Sequence, residues 1–146
     1  LTLVLLIGAG GSAFTVAGPV TQLGSLLQWG SRAVDHCTER ITAVYPDATT
    51  ESLTLTPLRI NDDRVQDYLV TVENDTYCGT TGCIHELCVS QPTADQRYTY
   101  VPFGYAATHI EATGANTAGY ADLTLTSNQA KTIVRWDGSR YTTTYR

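Results

Sequence analysis

The chain has little positive charge. Its 146 residues include 9 Lys or Arg against 14 Asp or Glu, a formal net charge of −5, and Lys131 is its single lysine. A nucleic-acid binder needs a basic face, so this balance argues against one, and it disfavours adhesion to anionic lipid. Several catalytic and ligand signatures are also missing. No glycine-rich phosphate loop occurs. Ser90, Ser127 and Ser139 fall in stretches that read as turns, outside any Gly-x-Ser-x-Gly elbow. His36, His85 and His109 are scattered along the chain. Asp62, Asp63 and Asp67 lack the Asp-x-Asp-x-Asp-Gly spacing of a calcium loop. Asp122 and Asp137 read as turn supports rather than as a catalytic carboxylate pair. The expectation is therefore no catalytic residue, no metal and no cofactor.

No charged residue precedes Arg32. Residues 1–28 are almost wholly apolar or small, which fits two readings. A signal peptide would be cut after Thr15-Val16-Ala17. An uncleaved membrane anchor needs roughly 20 apolar residues, a length this segment supplies. Either reading exports the remainder, to the periplasm or cell envelope, with attachment to the inner membrane if the segment is kept.

From Trp29 the apolar residues Ala33, Cys37, Ile41 and Val44 recur at three- and four-residue steps, and Pro46 follows. That pattern predicts an amphipathic helix over residues 29–46. From Ser52 the period changes to two. Short runs at 53–60, 68–72, 83–90, 97–103, 108–112, 120–126, 131–136 and 140–145 read as strands, and 113–119, rich in Gly and Asn, reads as a loop. Asp137-Gly138 is a hairpin signal. The expected fold class is α+β. One N-terminal helix precedes a mainly antiparallel sheet of seven to eight short strands over residues 47–146, curled into a small sandwich or partial barrel.

All four cysteines lie beyond the leader, and three of them crowd into Cys78-Gly79-Thr80-Thr81-Gly82-Cys83-Ile84-His85-Glu86-Leu87-Cys88. Gly79 and Gly82 permit a tight turn that would bring Cys78 opposite Cys83. Strand parity then points Cys88 to the other face, toward Cys37. The expected pairs are Cys78–Cys83 and Cys37–Cys88, although four cysteines allow three connectivities. The alternative is a metal site from Cys78, Cys83, Cys88 and His85, but a structural zinc would need a second knuckle, for which only Cys37 or His36 remains.

Four stretches carry a resemblance: Asp67-Tyr68-Leu69-Val70, Tyr77 to Cys83, Gly119-Tyr120-Ala121-Asp122-Leu123, and Trp136-Asp137-Gly138-Ser139-Arg140-Tyr141. Together they span residues 67–141. They resemble a pattern in small exported bacterial proteins, most of them uncharacterised. The resemblance implies export and β structure. The last two stretches also resemble one blade of a propeller-type repeat, but they occur once, which excludes a propeller. The build is analogous to that of periplasmic lysozyme inhibitors, without a residue-by-residue match.

Tyr, Trp and Arg are the usual anchors of protein and glycan contacts. Those that the strands would expose are Tyr98, Tyr100, Tyr105, Trp136, Arg140 and Tyr141. The expected function is an exported binding or inhibitory module whose partner is a protein or cell-wall glycan. The alternative is a structural or assembly component tethered to a membrane complex. An enzyme is the third reading.

Overall fold

A computed structural model of the chain describes residues 34–91 and 97–144. The described part of the helix, α1, spans residues 34–44. It buries Val34, Cys37 and Ile41, which lie three and four residues apart on one face. Val44 does not continue this stripe as expected, for it is 51% exposed. One step further on, Tyr45 packs against the buried cluster instead. The seam advances by four residues after Ile41 rather than three, so Val44 rotates to solvent. The leader, residues 1–28, and the expected start of the helix, residues 29–33, lie outside the described residues. Among those described, no helix is long and apolar enough to cross a membrane.

Nine strands follow among the described residues, where the sequence pattern predicts seven to eight. They are β1 Leu53–Leu58, β2 Asp67–Val72, β3 Cys78–Gly79, β4 Gly82–Ser90, β5 Tyr98–Ala107, β6 His109–Thr117, β7 Tyr120–Ser127, β8 Ala130–Trp136 and β9 Tyr141–Thr143. The extra strand is the two-residue β3, one arm of the cysteine hairpin. The first sheet runs β1-β2-β4, with β3 and β5 also paired to β4; the second runs β6-β7-β8-β9. Every pairing is antiparallel. The sheets meet where β5 passes into β6 through Thr108, whose N–H and hydroxyl both donate to Thr126 O at 2.8 Å. The two sheets curl into a half-barrel after α1, an α+β domain.

Alternation along the strands sorts the core into two layers. Leu69, Leu87, Val89 and Val101 of the first sheet meet Ile110, Leu123, Leu125 and Val134 of the second. On the other face of the first sheet, Val70, Val72 and Cys88 meet Cys37 and Ile41 of the helix. Disulfides join Cys37 to Cys88 and Cys78 to Cys83. The first fastens the helix to the central strand, and the second closes the hairpin. Two such bonds point to an oxidising compartment, extracellular or periplasmic.

Strand β6 also departs from expectation. Residues 113–117 continue the strand instead of forming a loop, and the turn falls at Ala118-Gly119, both at positive φ as a two-residue hairpin requires. Thr113-Gly114-Ala115 is accommodated as a bulge, because Ala112 pairs with Leu123 and Asn116 with Ala121. Asp122 therefore lies opposite three residues. It is buried within β7 rather than supporting a turn, and it accepts a hydrogen bond from Arg135 Nε at 2.9 Å.

Candidate binding site

The site begins with a second bulge of the same kind. His85 pairs with Tyr105 and Leu87 with Val101, so Glu86 faces Pro102-Phe103-Gly104. Proline cannot donate to a ladder, and Gly104 has φ +64, so this part of β5 cannot hold a regular register. Backbone groups released by the bulge turn inward. Phe103 N donates to Glu86 Oε2 at 2.6 Å, and Gly104 N is a further donor. Tyr45 Oη, just beyond the helix, donates to Glu86 Oε1, and Tyr100 adds another hydroxyl.

Glu86 is 1% exposed. Burial holds its carboxyl above the usual carboxylate range, although its donors pull the other way. Burial and the adjoining Glu86 push Tyr45 up strongly, and burial with the same neighbour pushes Tyr100 up to about 12. The neighbouring His85 points to the other face. Its Nε2 lies 3.0 Å from Ala107 O, and a carbonyl can only accept, so Nε2 carries the proton. Nδ1 is then the acceptor for Thr71 Oγ1 at 3.0 Å. Burial lowers the His85 pKa.

The bulge forms one wall of a cleft of about 470 Å³. Pro102, Phe103 and Tyr105 of β5 stand on one side, Arg140, Tyr141 and Thr143 on the other, and Glu86 lies at the bottom. The wall on the β9 side is set by the Asp137 turn. Asp137 Oδ1 accepts from Ser139 N at 2.8 Å and from Arg140 N at 2.9 Å. Phe103 makes edge contacts with Tyr105 and Tyr141, at 4.8 and 5.3 Å between ring centroids. Tyr141 in turn meets Trp136 at 5.5 Å, and Trp136 stacks on Tyr120 at 4.4 Å. Tyr105 Oη spans the cleft to Tyr141 O at 3.1 Å, and Tyr141 Oη donates to Ala121 O at 2.8 Å.

Of the six expected surface residues, Tyr105, Arg140 and Tyr141 line this cleft, with Trp136 edge-on behind Tyr141, but Tyr141 is only 4% exposed, because its ring belongs to the buried core rather than to the surface. Tyr98 and Tyr100 do not join them. Both are half-buried and pack with the helix-side cluster on the far face of the first sheet. Tyr98 Oη donates to Gln66 O at 2.6 Å, and burial with the nearby Tyr68 raises its pKa to about 12.

Ser90 ends β4 as a buried residue, as the 83–90 strand run implies, and does not lie in a turn. Its N–H donates to Asp67 Oδ1 at 2.7 Å, while Ile60 N and Asn61 N donate to Asp67 Oδ2 at 2.7 and 3.2 Å. Asp67 thus caps the β1–β2 connection and the end of β4 together. Among the described residues, no group of three or more His, Cys, Asp or Glu could hold a metal ion. Glu86 does not stand out in the sequence, because one acid in a strand reads as a solvent-facing residue. Pro102 inside the 97–103 run, with Gly104 just after it, is the signal that β5 bulges opposite Glu86. No family model matches the chain, and neither a curated protein nor a solved structure matches it.

Proposed function

We propose that the chain is an exported binding or inhibitory module of the cell envelope, and that it receives a protein or cell-wall glycan in the cleft between β5 and β9. The observation that carries this reading is the convergence of Tyr105, Arg140 and Tyr141 on one cleft, backed by Trp136. Aromatic rings and a guanidinium are the side chains that anchor such partners. The two disulfides add the compartment. Glu86 touches the cleft, but its oxygens are taken by structural donors, so it holds the wall in place.

The test is a titration of the full chain, in a Trp29→Phe background, with soluble cell-wall glycan fragments and with a digest of envelope proteins. Trp136 fluorescence reports binding. Saturable binding is expected with one of these ligands, weakened about tenfold or more by Arg140→Ala and by Tyr105→Phe, and left unchanged by Tyr98→Phe on the far face. Binding that is indifferent to Arg140 and Tyr105 would sink the proposal.

A further inference from the structure

The cleft is the open seam of the half-barrel. Its two walls are edge strands, since β5 pairs only with β4, and β9 only with β8, among the described residues. Edge strands carry unpaired backbone groups, and proteins blunt them with proline, bulges or covering segments. Apart from the two-residue β3, the described strands leave four edges, and three of them are blunted. Strand β1 carries Pro57, β5 carries Pro102 with Phe103 N turned inward, and β6 carries the Gly114 bulge. Strand β9, Tyr141-Thr142-Thr143, has neither proline nor bulge.

The ladder shows which of its groups face the cleft. Asp137 N donates to Arg140 O at 2.9 Å, and Thr144 N donates to Ile133 O at 3.4 Å. Arg135 pairs with Thr142 midway between these bonds. Antiparallel pairs bond alternately, so the N–H and C=O of Tyr141 and Thr143 point away from β8. Tyr141 O bears this out, because it accepts Tyr105 Oη from the opposite wall. Arg140 stands at the start of this edge with its side chain 76% exposed, and its Nε is 3.8 Å from Asp137 Oδ2, a loose pair. It offers a positive charge at the cleft of a chain whose net charge is −5.

We infer that the cleft takes an extended peptide segment bearing an acidic side chain, which adds as a strand to β9 and sets its carboxylate against Arg140. Strand addition draws affinity from main-chain hydrogen bonds and specificity from alternate side chains. Here the bonds come from the N–H of Tyr141 and the N–H and C=O of Thr143, since Tyr141 O is held by the Tyr105 hydroxyl, and the side-chain wall comes from Pro102, Phe103 and Tyr105. The inference rests on the binding-module reading and selects the protein partner over the glycan. A three-residue edge permits few main-chain bonds, so the guanidinium and the rings supply the remainder.

The experiment uses the full chain labelled with ¹⁵N. The probes are a pooled library of end-capped heptapeptides with central Glu and Val, Thr, Ile or Tyr elsewhere, the same library with central Lys, and soluble cell-wall glycan fragments. The tightest Glu peptide is then remade with N-methyl groups on alternate residues, in both registers. Glu peptides are expected to bind at least tenfold tighter than Lys peptides, with slowed exchange of the Tyr141 and Thr143 amides. One N-methyl register should lose at least tenfold and the other little. Arg140→Glu, at an exposed side chain, should reverse the Glu preference. Absence of any Glu-peptide binding up to about 1 mM, the bottom of the weak-affinity range, would overturn the inference. So would equal affinity for both N-methyl registers. Glycan binding that depends on Arg140 without amide protection would overturn it too, while leaving the cleft as the binding site. Failure of the glycan and digest titrations as well would remove the binding-module reading itself.

Discussion

Single residues at which the backbone has no freedom are the sharpest tests of this fold. Gly82 opens β4 at φ +107, and a Cβ added there would sit 2.0 Å from Ala107 O. Gly79, its counterpart across the hairpin, has nothing within 4 Å of such a Cβ. Gly82→Ala should therefore destabilise by about 2 kcal/mol or more, and Gly79→Ala by well under about 1 kcal/mol, in urea unfolding. Equal effects would mean that β5 does not close on the hairpin as described. Two buried ionisable neighbours on β4 give opposite pH dependences. Burial lowers the folded pKa of His85 below its unfolded value of about 6.5. As pH falls through that value, the unfolded chain gains a proton that the folded chain refuses, so stability drops on acidification. Burial raises the folded pKa of Glu86, so its contribution is present at low pH and is lost as pH rises through the folded value. Comparing urea midpoints at pH 7 and pH 5, His85→Gln should flatten the fall in stability toward pH 5 relative to the parent. Glu86→Gln should remove the opposing slope and cost roughly 2 kcal/mol or more, because its amide meets donors that need an acceptor. A His85→Gln profile parallel to that of the parent would assign the pH dependence elsewhere.

At the scale of elements, the helix and the hairpin are each held by one covalent link, and the two links should differ in worth. The Cys37–Cys88 bond spans 51 positions and the Cys78–Cys83 bond spans 5. Chain entropy then assigns roughly 4 kcal/mol to the first and roughly 2 kcal/mol to the second. Cys37→Ala/Cys88→Ala should lower the unfolding free energy about twice as much as Cys78→Ala/Cys83→Ala. The reverse order would mean that the helix contributes little to the sheet. This pairing was legible in the sequence because strand parity is a strict period of two, and Cys83 and Cys88 are five residues apart. The helix was legible through its period, but its last turn was not. Whether Val44 or Tyr45 follows Ile41 into the core depends on Glu86, which gives the Tyr45 hydroxyl a buried acceptor. The bulges at residues 102–104 and 113–115 were less legible. Each places three residues against one, and the acid opposite is a strand away in sequence, so local pattern cannot register the two together. The cleft inherits that difficulty. Tyr105, Arg140 and Tyr141 could be chosen by residue type, but their meeting depends on how the second sheet curls back over the first.

Across the whole molecule, the question is whether the two sheets are one folding unit. They share a single buried cluster, and Ile60 lies within it at 1% exposure. Ile60 stands between β1 and β2 of the first sheet, yet its carbonyl accepts from Ala121 N of the second at 2.7 Å. Its own N–H donates to Asp67 Oδ2, which ties the same residue to the end of β4. Removing that side chain empties the boundary rather than either sheet alone. Ile60→Ala should cost about 2–5 kcal/mol, the range for opening a cavity at a buried aliphatic site. If the sheets are one unit, the loss should appear as a lower urea midpoint with unchanged slope. In a Trp29→Phe background, Trp136 fluorescence, which reports the second sheet, should then trace the same transition as far-UV dichroism, which reports both. Curves that separate in the variant would show each sheet folding on its own core. The β5–β9 seam would then be a gap of variable width, and the shared wall that a bound strand requires would be lost.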